Sequence, residues 1–383
     1  MDMNQVHQIA NSLTQQYLGE EAVVNTDLSN VVDFGNQIMN LDTRDHFVRD
    51  LIDQVGRMVF VNRTYVGKTP SIMMDAWEYG AVLEKITYEG IPEAQQNDSW
   101  DLQDGHSYDP NVFYKPTVSA KFYQKRNTFD IPMSFAERQV KSAFQNGTQL
   151  NAFFSMIENA IQKSMTVKMD QLAESAINNM IALTLSSSSP ANKAVNLLSM
   201  YNTQFSKSLQ AASAIYDADF IRFASYIMGL YAERLQRLSV LFNIGGKERF
   251  TPPDRLHIIL LSEFDAAAKS YLQSDVYHDQ FVRLPNAESV PYWQGTGTDY
   301  AFSSTSKIHV KASDGASGTE VEQSGILGIM FDRDALGISN LDRRVTTNWN
   351  ARAEFFNNWY KFDAGYFVDT NENFIVFYVA DSN

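Results

Sequence analysis

The residues best suited to proton transfer or metal ligation near neutral pH are six histidines: His7, His46, His106, His257, His278 and His309. No two of them stand at metal-ligand spacing, and the HExxH run of zinc hydrolases is missing. His257 falls within an apolar run that reads as a buried strand, where a histidine is a core residue rather than a catalyst. Asp332-Arg333-Asp334 brings two carboxylates close together, but the intervening arginine and the end of an apolar run fit a charged turn instead. Gly295-Thr296-Gly297-Thr298-Asp299-Tyr300 has the first two glycines of a dinucleotide loop without the third, and no βαβ unit surrounds it. A loop using positive φ angles is the simpler reading. Neither a GxSxG elbow nor a P-loop occurs, and the chain has no cysteine for disulfides or thiolate metal sites. These residues therefore predict no catalytic residue, no cofactor and no metal.

Composition sets what the surfaces can do. At 383 residues the chain can build one large or two medium domains, and 44% hydrophobic with 20% charged residues reads as globular. No apolar run approaches the roughly 20 residues of a membrane span, and the N-terminus lacks the regions of a signal peptide. A soluble cytosolic product with no membrane partner is expected. The net charge of −14 is uneven: residues 1–112 hold 18 acidic and 6 basic side chains, residues 113–383 hold 27 and 25. An acidic chain without a basic stripe argues against affinity-driven nucleic-acid binding. The acidic third fits either solvated loops or segments that meet basic patches on neighbouring subunits.

Apolar spacing predicts a helix over 4–18 ended by Gly19, an extended arm over 20–42, and a short helix over 47–55 ended by Gly56. Residues 58–65 alternate as a strand. Residues 66–114 are polar and acidic, with strand-like islands at 81–88 and 112–123. The acidic loop between them, 90–110, is of a length that usually carries function. Trp77, Tyr79, Trp100, Tyr108, Phe113 and Tyr114 lie in this region, as anchors for a partner surface or as a small cluster of their own. A stripe from Leu150 to Met180 predicts a helix over 148–183, a rod of roughly 50 Å that Thr166-Val167 could bend. Residues 191–325 read as mixed α/β. A second amphipathic helix is expected over 218–242, capped by Asp217, with Leu238 on its apolar face and Gly245-Gly246 at its end. Residues 325–331 and 374–379 read as buried strands.

Three stretches carry a resemblance. The C-terminal one has "FDRDALGIS", then "NARAEFFNNWYKFDAGYFVD" read as one long strand, then "NENFIVFYVA". The second is the long helix approached through "KFYQKRNTFDIPMSFAERQVKSAF", and the third is the strand–helix step "RLHIILLSEFDAAAKSYLQSDVYH". Together these resemble the major capsid proteins of tailed bacteriophages with the Hong Kong 97 phage fold, nearest the phi 29-like podoviruses. The resemblance implies an α+β fold in five parts: an N-terminal arm (1–56), an extended two-stranded E-loop (57–125), a peripheral domain with a spine helix (126–190), an axial domain (191–325), and C-terminal strands returning to both domains (326–383).

The function so implied is self-assembly into an icosahedral or prolate head enclosing double-stranded DNA. Its partners would be further copies of itself in pentamers and hexamers, a separately encoded scaffolding protein and a portal protein. The packaged DNA would be held without sequence-specific contacts. No matched environment for a lysine–asparagine crosslink is identified, and none is expected. Two alternatives stand beside this: an encapsulin-type compartment shell, and a cytosolic enzyme with residues 66–112 as an acidic lid.

Overall fold

The computed structural model describes residues 3–26, 30–39, 50, 72–74, 83–88, 94, 97, 99, 101–108, 111, 115, 118–123, 126–136, 147–187, 190–273, 287–293, 307–312 and 318–381. Helices α1 (Met3–Leu18) and α2 (Val31–Met39) come first, followed by the two-residue strand β1 (Met73–Met74). Strands β2 (Leu83–Tyr88), β3 (Val118–Tyr123) and β4 (Arg126–Ala136) lead to the long helix α3 (Gly147–Leu185). Next come β5 (Ala194–Asn196), α4 (Leu197–Phe205), the single turn α5 (Ala211–Ala214) and α6 (Ala218–Arg234). Strand β6 (Leu256–Leu261), helix α7 (Ser262–Gln273) and β7 (Ala287–Val290) follow. The chain ends with β8 (Ile308–Lys311), β9 (Glu320–Gln323), β10 (Ile326–Asp332), β11 (Leu336–Asn350), β12 (Phe355–Val368) and β13 (Phe374–Tyr378). The expected short helix over 47–55 and the strand over 58–65 lie outside the described residues, apart from Asp50.

Two sheets organise these elements. One has the order β5-β13-β10-β6-β7, the other β1-β11-β12-β4. The apolar run of β10 is buried at every position because it lies between β13 and β6, with a face covered on each side. Gly328 is required there: a Cβ would stand 2.7 Å from the Leu260 side chain and 3.0 Å from the Ile259 carbonyl oxygen. The 39-residue α3 is about 58 Å long at 1.5 Å per residue. It buries Ile157, Ile161, Met165, Met169, Leu172, Ala176, Met180 and Ile181 at helical spacing and packs on β8, β9, β11, β12 and β13. The helix is continuous through Thr166-Val167.

Four expectations need correction. Residues 20–42, expected as an extended arm, contain the helix α2, because Val31 and Ile38 are buried in the core at helical spacing. The stretch read as one strand over 350–369 is a strand only from Phe355: residues 351–354 are a turn, in which Asn350 accepts from the backbone N–H of Arg352 and Ala353 and Glu354 takes a φ of 51°, joining β11 to β12. The helix expected over 218–242 ends at Arg234, because the chain turns back there to pair Ser239 with Arg249. Leu238 is consequently exposed. Asp332 is buried rather than turned out; its carboxylate accepts from the Asp334 N–H at 2.9 Å and lies 3.8 Å from the Arg255 guanidinium. Asp217 does cap α6, accepting from the Phe220 N–H at 2.8 Å. Among the described residues no helix is long and apolar enough to cross a membrane.

Candidate assembly surface

Strands β2 and β3 form an antiparallel ladder running from Leu83 opposite Tyr123 to Tyr88 opposite Val118. Successive side chains on a strand face opposite ways, so this ladder has two faces. On one face Lys85 stands directly across from Lys121, half-buried against the body of the molecule, with Tyr123 buried beside them. Two ammonium groups opposed in this way repel unless an anion lies between them.

The anions come from the turn between β12 and β13. Asp369, its side chain only 2% exposed, accepts from Lys85 Nζ at 2.9 Å and from Lys121 Nζ at 3.1 Å. Glu372 accepts from the same Lys85 Nζ at 2.7 Å and from Arg249 Nε at 3.1 Å. The turn is itself fixed: Asp369 N–H donates to the Ala335 carbonyl at 2.7 Å, and its carboxylate accepts from the Asn371 N–H at 3.1 Å. Burial pushes the Asp369 carboxyl up, but Lys85, the Asn371 N–H and Lys121 together outweigh it and hold the group below the usual carboxylate range. Burial likewise disfavours the Lys85 ammonium, and Asp369 with Glu372 reverses that, so its pKa is raised. The Tyr123 phenol is pushed well up, first by burial and then by the two carboxylates. At neutral pH Asp369 is thus an anion and Lys85 a cation.

The other face is inverted relative to an ordinary sheet. Ile86 is 66% exposed, Val118 59% and Phe122 56%, with exposed Ala120 among them. Lys85 and Lys121 face in, while Ile86, Val118, Ala120 and Phe122 face out. An exposed apolar stripe of this kind marks a surface meant to be covered.

Of the six aromatics proposed from the sequence, Tyr108 is exposed, its hydroxyl accepting from the Gln103 N–H at 3.2 Å and its ring 5.2 Å from His106. Trp77, Tyr79, Trp100, Phe113 and Tyr114 lie outside the described residues. Sequence reasoning missed Lys85, Lys121, Arg249, Asp369 and Glu372 entirely. One signal was available: Lys85 is among only six basic residues in the first 112 and sits in a strand-like island. His257, half-buried in β6, has its ring 5.9 Å from Phe331, and burial lowers its pKa. Among the described residues no group of three or more His, Asp or Glu could hold a metal ion.

A family model for the Phi29-like phage major capsid protein matches residues 6–378. The chain belongs to that family. Solved structures agree at the level of fold. A chain in the capsid structure of Staphylococcus phage Andhra superposes with a TM-score of 0.54 at 10% identity, covering 84% of this chain and 87% of that one. A chain in the structure of the head fiber and inner core protein gp22 of native bacteriophage P68 gives 0.51 at 8% identity, covering 84% and 86%. No curated protein matches. This capsid protein is a structural component of the virion and oligomerises into the shell of a tailed-phage head. The α+β architecture of two sheets and a long helix is that of phage capsid subunits.

Proposed function

We propose that copies of this capsid protein overlap through the outward face of the β2–β3 hairpin, and that the protein works by assembly and not by catalysis. The observation that carries this reading is the inverted hairpin, pinned by charge on its inner side and apolar on its outer side. At the exposures of Ile86, Val118 and Phe122, roughly 300 Å² of apolar surface is open, worth about 8 kcal/mol gross if fully covered. Association costs on the order of 4–15 kcal/mol, so one such contact nearly breaks even. A contact that weak is reversible, allowing a growing lattice to correct errors, while many contacts summed hold a closed shell.

On this reading residues 57–125 are the overlapping loop, and the sheet β1-β11-β12-β4 with α3 forms a peripheral unit. The sheet β5-β13-β10-β6-β7 forms an axial unit that gathers into pentamers and hexamers. A separately encoded scaffolding protein would set the curvature, a portal protein would occupy one vertex, and double-stranded DNA would be enclosed without base-specific contact. Assembly would take place in the host cytoplasm.

The test is the double variant Ile86→Asp with Phe122→Asp. Both positions are exposed, so monomer stability should change by only about 0.5 kcal/mol per site. Particles seen by negative-stain microscopy should disappear. Normal closed particles from this variant would show that the face is not the overlapping surface.

A further inference from the structure

A second open apolar surface follows α6. After Arg234 the chain forms a run of turns in which Ser239 and Arg249 exchange backbone hydrogen bonds of 2.9 and 3.0 Å. Leu238, Val240, Leu241 and Phe250 are each about half exposed there. Together they present on the order of 300 Å², the size at which patches mark interaction sites. The loop is built rather than loose. Phe242 is buried with its ring 6.0 Å from Tyr231, and the Phe242 carbonyl accepts from the Phe374 N–H at 2.9 Å. Gly245 N–H donates to Thr370 at 2.8 Å, and Arg249 binds Glu372. The patch and the hairpin base are therefore fixed to the same turn.

Its charge opposes that of the chain. Residues 233–250 carry Arg234, Arg237, Lys247 and Arg249 against Glu233 and Glu248, with Arg249 bound to Glu372, in a protein of net charge −14. A complementary surface exists in the acidic loop. Residues 101–108 form a small turn closed by His106 N–H to Gln103 carbonyl at 3.3 Å and by Gln103 N–H to the Tyr108 hydroxyl, with Gly105 at a φ of 79°. Leu102 and Tyr108 stand exposed beside Asp101 and Asp104, and residues 89–114 contain no lysine or arginine.

We infer that the 101–108 turn of one copy docks on the 238–250 surface of a second copy. Leu102 and Tyr108 cover Leu238, Val240, Leu241 and Phe250, while Asp101 and Asp104 face Arg237 and Lys247. Two unlike surfaces joined in this way make a head-to-tail contact, which propagates around a ring instead of closing on itself as a pair. The inference rests on the reading of the chain as a self-overlapping shell subunit and names where the loop lands.

The natural absence of cysteine makes the test clean. Leu102→Cys and Leu241→Cys chains are purified separately, mixed, assembled and mildly oxidised, then run on a non-reducing gel. Mixed particles should give a disulfide-linked dimer at least about tenfold above either variant alone. Particles without that dimer, or with equal dimer from Leu241→Cys alone, would overturn the docking while leaving the shell reading intact. Absence of particles from the unmodified chain even with the scaffolding protein co-expressed would instead remove the self-overlap reading and the inference with it. If the thiol variants do not assemble, charge exchange serves: Asp104→Lys should abolish particles and added Arg237→Glu should restore them. Failure of that rescue would also overturn the docking.

Discussion

Asp369→Asn probes the inner side of the hairpin with minimal change of shape. The asparagine Oδ1 can still accept from the Asn371 N–H, so the turn is preserved while the charge facing the hairpin is lost. Two ion pairs disappear. Lys121 is nearly half exposed, so its pair counts for little. Lys85 is largely buried and Asp369 almost wholly so, and breaking a buried pair by removing one partner costs about 3 kcal/mol at the lower end of the usual range. Because Glu372 remains to hold Lys85, that lower end is the appropriate figure. A loss of 3 kcal/mol corresponds to roughly a hundredfold increase in the opening of the hairpin from the body. Native-state hydrogen exchange reads this directly: amides of the β2–β3 ladder should exchange about a hundredfold faster, while those of β6 and β10 stay protected. Unchanged exchange in the ladder, or equal acceleration in the central strands, would refute the idea that the ion cluster docks the hairpin locally.

Further expectations concern pH and packing. The folded pKa of Asp369 lies below its unfolded value of about 3.9, so its stabilisation is complete above that value and is lost as pH falls through the folded pKa. The folded pKa of Lys85 lies above its unfolded value of about 10.4, so its share is complete below that value and is lost as pH rises through the folded pKa. Hairpin docking, followed by exchange or by tryptic cleavage at Lys85 and Lys121, should thus hold from about pH 5 to 10 and loosen towards pH 3. Asp369→Asn should remove the acid limb. Gly328→Ala should lower stability by about 1–3 kcal/mol through the clash with Leu260 and Ile259, measured as a shift in denaturant midpoint at constant slope.

What could be read from the sequence follows the strength of each local signal. The stripe from Leu150 to Met180 gave α3 because apolar residues keep one spacing along the whole segment, and the apolar runs at 326–331 and 374–378 gave two central strands. Strand β11 went unseen because its C-terminal half, Arg343-Arg344-Val345-Thr346-Thr347-Asn348, is polar; it is a strand because β12 pairs with it along its length. The hairpin turn after Asn350 was lost in a run of residues that has no glycine or proline to mark it. The ion cluster was invisible for a different reason. Lys85 and Asp369 are separated by 284 positions, and nothing local to either announces the other. The outward apolar face escaped as well, since alternation reports that two faces differ and not which one meets the body.

Whether the outer face of the hairpin is sealed by another copy can be measured with a single thiol. Ile86→Cys chains, otherwise free of cysteine, should react with a maleimide at an ordinary exposed-thiol rate when unassembled, and at least about tenfold more slowly within particles. Equal rates in the two states would mean that this surface stays open in the shell and that the subunits are joined elsewhere.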